Sequence, residues 1–262
     1  MEVLYIMGKL LVIDGLDGTG KATQVGLLNE NMKNVKNFYT EFYSTGFPQY
    51  GKPSAKLVEN YLSGKYGSNP SDVDPELASF FYTADRVESY YDDNEVWGKL
   101  YNQDALIISD RYTSSNIIHQ GCKFIDASGE MDMAKFGEFV EWLYEKEYKT
   151  YKLPKPNVII YLKTSKEANE KMLRDRGETA ISGDIHENDL SYLDKCRKTL
   201  DVYQKFIEEK EYEKYKYLNL ILPSIKHFFI NVTDPETLEL RSREDIAKDI
   251  WDIVNLPELN LI

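Results

Sequence analysis

The chain has little sulfur chemistry to offer. Its 262 residues include two cysteines, Cys122 and Cys196, which form no disulfide framework and stand in no metal-ligand spacing. Reduced thiols in a cytoplasmic protein are the expectation. No apolar run approaches the roughly 20 residues of a membrane span. The first residues lack the charged start and long apolar core of a secretory leader. Positive charge is short: 32 Lys and Arg stand against 44 Asp and Glu, a net charge of −12. That balance argues against nucleic acid as a partner, because a broad binding face needs excess cation. An anionic ligand would instead be met by a local basic pocket. There is no internal repeat, low-complexity tract or linker. With 42% hydrophobic and 29% charged residues, the length suits one soluble α/β domain with a sizeable core.

Glycine is concentrated where it matters most, in Gly15-Leu16-Asp17-Gly18-Thr19-Gly20-Lys21-Ala22-Thr23. The apolar run Leu10–Ile13 precedes it and reads as a buried strand; Thr23–Leu28 follows and reads as the first turns of a helix. Glycines let backbone N–H groups curl around an anion. The helix N-terminus adds partial positive charge, and Lys21 adds a whole one. Gly15, Asp17, Gly18, Thr19, Gly20, Lys21, Ala22 and Thr23 are therefore the candidate donor-phosphate residues. The hydroxyl that usually follows the lysine and ligates Mg²⁺ is absent: Ala22 stands there, and Thr23 comes one place late. Asp17 is the nearest carboxylate that could help to hold a metal, through water.

The remaining chain alternates strands and helices. A first strand spans about Lys9 to Asp14, and its helix runs to about Lys33. A second strand is expected over Val35 to Tyr43, before a loop through Phe47, Pro48 and Tyr50. Ser54 is expected to cap a helix to Leu62, ended by Gly64. Asp74-Pro75 opens another, with Leu77, Phe80, Phe81 and Ala84 on one face and Arg86 near its end. A third strand, Ala105–Ile108, leads into Asp110-Arg111-Tyr112 and a helix from Ser114. Met131 to Tyr151 is helical, with Phe136, Phe139, Val140 and Leu143 as its apolar stripe. A fourth strand, Val158–Leu162, precedes a helix capped at Thr164–Glu167. A polar loop spans Gly177 to Ile185, and a long helix runs from Glu187 to about Lys210. Glu208 to Tyr217 reads as a solvated helix end. A fifth strand covers Ile225 to Val232, and Ser242 caps a last helix through Val254. Such order makes a five-stranded parallel sheet flanked by helices, with ligands at the carboxyl ends of its strands.

Arg86 and Arg111 suggest a second phosphate site, since a core-facing charge is costly without a partner and the guanidinium fork suits phosphate oxygens. Structural ion pairs are the competing explanation: Asp85 or Glu88 for Arg86, and Asp110 or Glu41 for Arg111. Phe47 could lie against a base or simply pack in the core. Two facing phosphate clamps describe phosphoryl transfer between nucleotides, where the protein positions groups and neutralises charge.

At Asp14–Gln24, Phe47-Pro48-Gln49-Tyr50, Ala84-Asp85-Arg86 and Asp110-Arg111-Tyr112 with Ser115-Asn116, the chain resembles the thymidylate kinase family of nucleoside monophosphate kinases. The resemblance implies a three-layer P-loop NTPase fold in a single domain over 1–262, and ATP-dependent phosphorylation of dTMP. It implies Mg²⁺ as cofactor, with Asp17 as the metal-side carboxylate. Lys21, Asp17 and Arg111 would be catalytic. Phe47, Tyr50, Arg86, Arg111, Ser115, Asn116 and His119 would bind the acceptor, and Arg174 would join the ATP site. A homodimer is also implied. The family's lid would span about 174–189, where His186 stands for the usual Tyr. No Lys or Arg occurs between Gly177 and Asp194, so the lid offers few cations. Segments at about 66–74 and 122–156 are longer than usual. A paralogous kinase for another nucleotide or nucleoside, or a non-catalytic nucleotide-binding regulator, are the alternatives.

Overall fold

A computed structural model describes residues 8–35, 41–175, 185–186, 190–234, 236–237 and 239–261. Strand β1 (Lys9–Gly15) lies at the centre of a parallel sheet with β2 (Phe42–Gly46), β3 (Leu106–Asp110), β4 (Val158–Lys163) and β5 (Lys226–Asn231). The order is β2-β3-β1-β4-β5, and every pairing is parallel, as the alternating pattern predicts. Successive side chains of β1 go to opposite faces. Leu10 and Val12 join one core with Phe136, Val140, Leu200 and Tyr203. Leu11 and Ile13 join the other with Val25, Leu28, Ile246 and Ile250. Helices on both faces make the three layers. α1 (Lys21–Met32) and α10 (Arg243–Val254) cover one face. α5 (Thr113–Gly121), α6 (Met133–Tyr144) and α8 (Leu190–Glu208) cover the other, joined by the short helices α4 (Trp97–Tyr101) and α9 (Lys216–Ile221). A third cluster joins α2 (Lys56–Leu62) to α3 (Pro75–Tyr91) through Val58, Tyr61, Ala78 and Phe81.

Several expectations shift. The second strand is Phe42–Gly46 rather than Val35–Tyr43, because pairing of Phe42 with Leu106 and Gly46 with Asp110 sets its register; residues 36–40 lie outside the described ones. Ser54 does not cap α2. It sits in a short turn, Pro53–Ala55, and gives its hydroxyl to Asp85. On α3 the expected apolar face divides: Phe81 is buried, while Leu77 and Phe80 are 50% and 45% exposed. The inward face is instead polar, with Ser79, Thr83, Asp85 and Arg86 buried. The helix expected over Met131–Tyr151 is α6, with its predicted stripe buried, continued by a π-helical turn at Glu145–Thr150. Glu208 to Tyr217 is not a simple solvated end, since a short turn there buries Tyr212 beside Phe206. The caps at Asp74 and Ser242 form as predicted.

Candidate active site

The loop after β1 places its glycines at left-handed backbone angles, φ 82° at Gly18 and 83° at Gly20. A side chain at Gly15 would put its Cβ 2.5 Å from the Leu162 carbonyl of β4. Backbone freedom and close approach thus explain these glycines. Lys21, the first residue of α1, is buried and donates to the Leu16 carbonyl at 2.6 Å. Thr19 donates to the same carbonyl at 2.9 Å. Ala22 and Thr23 are exposed.

Arg111 follows β3 with φ 66°, unusual for a side chain of its size. Its N–H donates to Ile13 O at 3.0 Å, which ties it to the end of β1. Its guanidinium pairs with Asp17 and reaches the Gly15 carbonyl at 3.5 Å. The competing pairings with Asp110 or Glu41 are therefore replaced by one across the phosphate loop. Burial alone would raise the Asp17 carboxyl. Arg111, then His119 and Lys21, outweigh burial and hold it well below the carboxylate range. Lys21 is pushed down to about 8, first by burial and then by Arg111, against the pull of Asp17, Asp110 and Asp14. The site thus holds one guanidinium and one readily discharged ammonium, both facing carboxylates.

His119, on α5, lies 4.0 Å from Asp17 Oδ2 and 3.5 Å from Arg111 Nη1. Its ring stacks on that of His186, with centroids 5.6 Å apart. Burial pushes His119 down to about 4 despite Asp17. Ser115 donates to Asp14 at 2.7 Å, and Ser114 bonds the other oxygen of the same carboxylate. Asn116 donates to Ser79 O at 3.3 Å. Phe47 is buried, edge-on to Trp97 at 6.0 Å and beside Tyr112 at 5.9 Å, so packing accounts for its position. Tyr50 is half exposed near Arg111.

Arg86 requires a correction. Its partner is neither Asp85 nor Glu88 but Glu147, from the π-helical turn, and both side chains are almost fully buried. Its charge is already neutralised, which removes the argument that placed it on a phosphate. Arg174 lies in the last turn of α7 (Lys166–Asp175), exposed and 3.5 Å from Glu170. Among the described residues it makes no hydrogen bond or ion pair with the phosphate loop. The expected lid lies mostly outside the described residues.

Sequence reasoning missed several residues. Asn169 donates to the Asp17 carbonyl at 2.6 Å and braces the loop. The Ser79 hydroxyl and the Gln120 amide are buried beside Asn116 with no partner among the described residues. Glu147 had a signal: Phe136, Val140 and Leu143 step by three and four residues onto it, placing a carboxylate on a core stripe. Among the described residues no three His, Cys, Asp or Glu gather as metal ligands. Asp110 Oδ1 is buried without a partner among the described residues, and Asp17 spends one oxygen on Arg111. This donor set fits a divalent ion held mainly by phosphates and water.

The thymidylate kinase family model matches residues 13–214. A probable thymidylate kinase of Methanococcus aeolicus is 28% identical over 242 residues, covering 92% of this chain and 96% of that protein. One from Pyrobaculum aerophilum is 27% identical over 202 residues, 77% of this chain and 84% of that protein. Among solved structures, thymidylate kinase from Candida albicans superposes with a TM-score of 0.56 at 19% identity, covering 97% of this chain and 94% of that one. The enzyme from Ehrlichia chaffeensis gives 0.56 at 17% identity, with 95% and 100% covered. These two likenesses concern the fold.

Proposed function

This chain belongs to the thymidylate kinase family, and we propose that it transfers the γ-phosphoryl group of ATP to dTMP, yielding dTDP. The observation that carries the reading is the Arg111–Asp17 pair closing over the loop that holds Lys21. It puts a guanidinium and a carboxylate at the carboxyl edge of β1 and β3, which supports a meeting place there for two nucleotides. Lys21 exchanges the Leu16 carbonyl for donor phosphate oxygens. Arg111 receives the acceptor phosphate, and Asp17 holds its guanidinium in place. Protein groups position the two phosphates and neutralise charge rather than form covalent intermediates. Mg²⁺ brought with ATP would add positive charge at the phosphates, with Asp17 and Asp110 as the carboxylates nearest Lys21. Asn116, with Ser79 and Gln120, faces the base. The uncharged edge of the Arg86–Glu147 pair suits a neutral part of the acceptor. The reading takes residues 1–262 as one kinase domain with a lid at about 174–189, acting in the cytoplasm as a homodimer. No helix among the described residues is long and apolar enough to cross a membrane.

An ATP-consumption assay over a panel of nucleoside monophosphates and nucleosides tests this. We expect dTMP to give the highest kcat/KM. Preference for another acceptor would mark a paralogue, and no turnover with any acceptor would mark a nucleotide-binding regulator.

A further inference from the structure

We propose that Glu147 is a positioning residue for the acceptor side of the site, setting Arg86 and the start of α5 in one step. The inference rests on the functional reading above and extends it to a segment, 122–156, with no assigned work. The Glu147 carboxylate accepts four hydrogen bonds. Arg86 Nε reaches one oxygen at 3.1 Å, and Thr113 bonds the same oxygen. Arg86 Nη2 and Thr83 bond the other, Thr83 at 2.7 Å. Two carboxylate oxygens have about four acceptor sites, so the group is saturated. The donors come from different places: Thr83 and Arg86 from α3, Thr113 from the first residue of α5.

Those helices enclose a buried polar seam. Ser79, Thr83 and Arg86 repeat along one face of α3, and Thr113, Asn116 and Gln120 along one face of α5. Asn116 meets Ser79 at one level, and Glu147 joins Arg86 to Thr113 at the other. The end of the seam away from Glu147 is underused: Ser79 Oγ, at the Asn116 level, and both amide atoms of Gln120, one turn further along α5, are unbonded among the described residues. A buried ion pair is weak evidence for stability, since apolar residues of similar volume often serve as well. Buried polar atoms left unpaired beside it need a different reason, and an acceptor nucleotide base provides one. Glu147 holds one end of that seam at fixed width and aims the guanidinium along it. The i→i+5 turn at Glu145–Thr150 lets the segment deliver this carboxylate after the apolar stripe of α6 has been buried.

The test compares Glu147→Gln with the double variant Arg86→Met/Glu147→Leu. Glu147→Gln keeps the shape but loses charge and acceptor capacity. It should raise the KM for dTMP at least tenfold while the KM for ATP stays within twofold. The apolar double variant should melt closer to wild type than Glu147→Ala does, and still show the raised dTMP KM. Equilibrium dialysis with dTMP alone reads the same contrast without turnover. Wild-type dTMP affinity in both folded variants would overturn the proposal, as would equal losses for ATP and dTMP. If the wild type binds dTMP but does not phosphorylate it, the proposed function fails, and dialysis still decides on Glu147. If the wild type does not bind dTMP, both are overturned.

Discussion

Lys21 is the clearest case of a residue whose chemistry is set by its surroundings. Its ammonium is pushed down to about 8 by burial and by Arg111. A bound phosphate would favour the charged form and raise that value. The sign follows: donor affinity is fully present below pH 8 and weakens above it, by up to about tenfold per pH unit, until the bound-state value is reached. Titrating a non-hydrolysable ATP analogue from pH 7 to 9.5 reads this slope, and Lys21→Arg should flatten it. A flat wild-type profile would take Lys21 out of the donor site. Arg111 makes a different demand, because its φ of 66° is tolerated best by glycine. Arg111→Gly and Arg111→Ala should both lower kcat/KM for dTMP by roughly 10- to 150-fold, the worth of a charge-assisted hydrogen bond of about 1.5–3 kcal/mol. Steady-state kinetics should show the same loss in each. Thermal melting should favour the glycine variant.

The helix α3 serves two surfaces at once. Its inner face carries Ser79, Thr83, Asp85 and Arg86 toward the site. Its outer face shows Leu77 and Phe80 and, three turns on, Tyr91, the last 57% exposed. Ala84 and Val87, both partly buried, fill the spacing between them, so apolar positions recur in steps of three and four. That stripe supports the homodimer proposed above. Sedimentation equilibrium should give twice the chain mass for the wild type and the chain mass for Phe80→Asp, with melting temperature changed little. A monomeric wild type would remove the second copy as occupant of this face.

Acid sensitivity belongs to the whole molecule. All three histidines of the chain are held neutral by burial: His119 at about 4, His186 well below its ordinary value, and His227 at about 3. Their folded-state values lie below the ordinary 6.5, so the unfolded chain binds more protons as pH falls. The stability they contribute is present above pH 6.5 and is lost from there toward pH 4, at about 1.4 kcal/mol per pH unit for each histidine. The lowered Asp17 acts in the same direction below about pH 4. Chemical denaturation at pH 7.5, 6 and 5 should show this fall, and His119→Gln should reduce its slope by about a third. Equal stability at all three values would mean that the histidines can be protonated in the folded chain.

The sequence by itself determined the sheet, the phosphate loop and the strand-end Arg111. These depend on local rules: apolar runs for buried strands, glycine where φ is positive, and a helix start behind the loop. They hold whatever the rest of the chain does. The partners of buried charges were another matter. Arg86 pairs with a carboxylate 61 residues away, and Arg111 with one 94 residues away, whereas sequence reasoning looked first to neighbours. The polar inner face of α3 was misread for the same reason, since apolar residues are expected inward unless a site lies there. Only the tertiary structure decided which charges meet, because an ion pair depends on distance in space. Distance in space is set by how α3, α5 and the turn at Glu147 pack over the sheet.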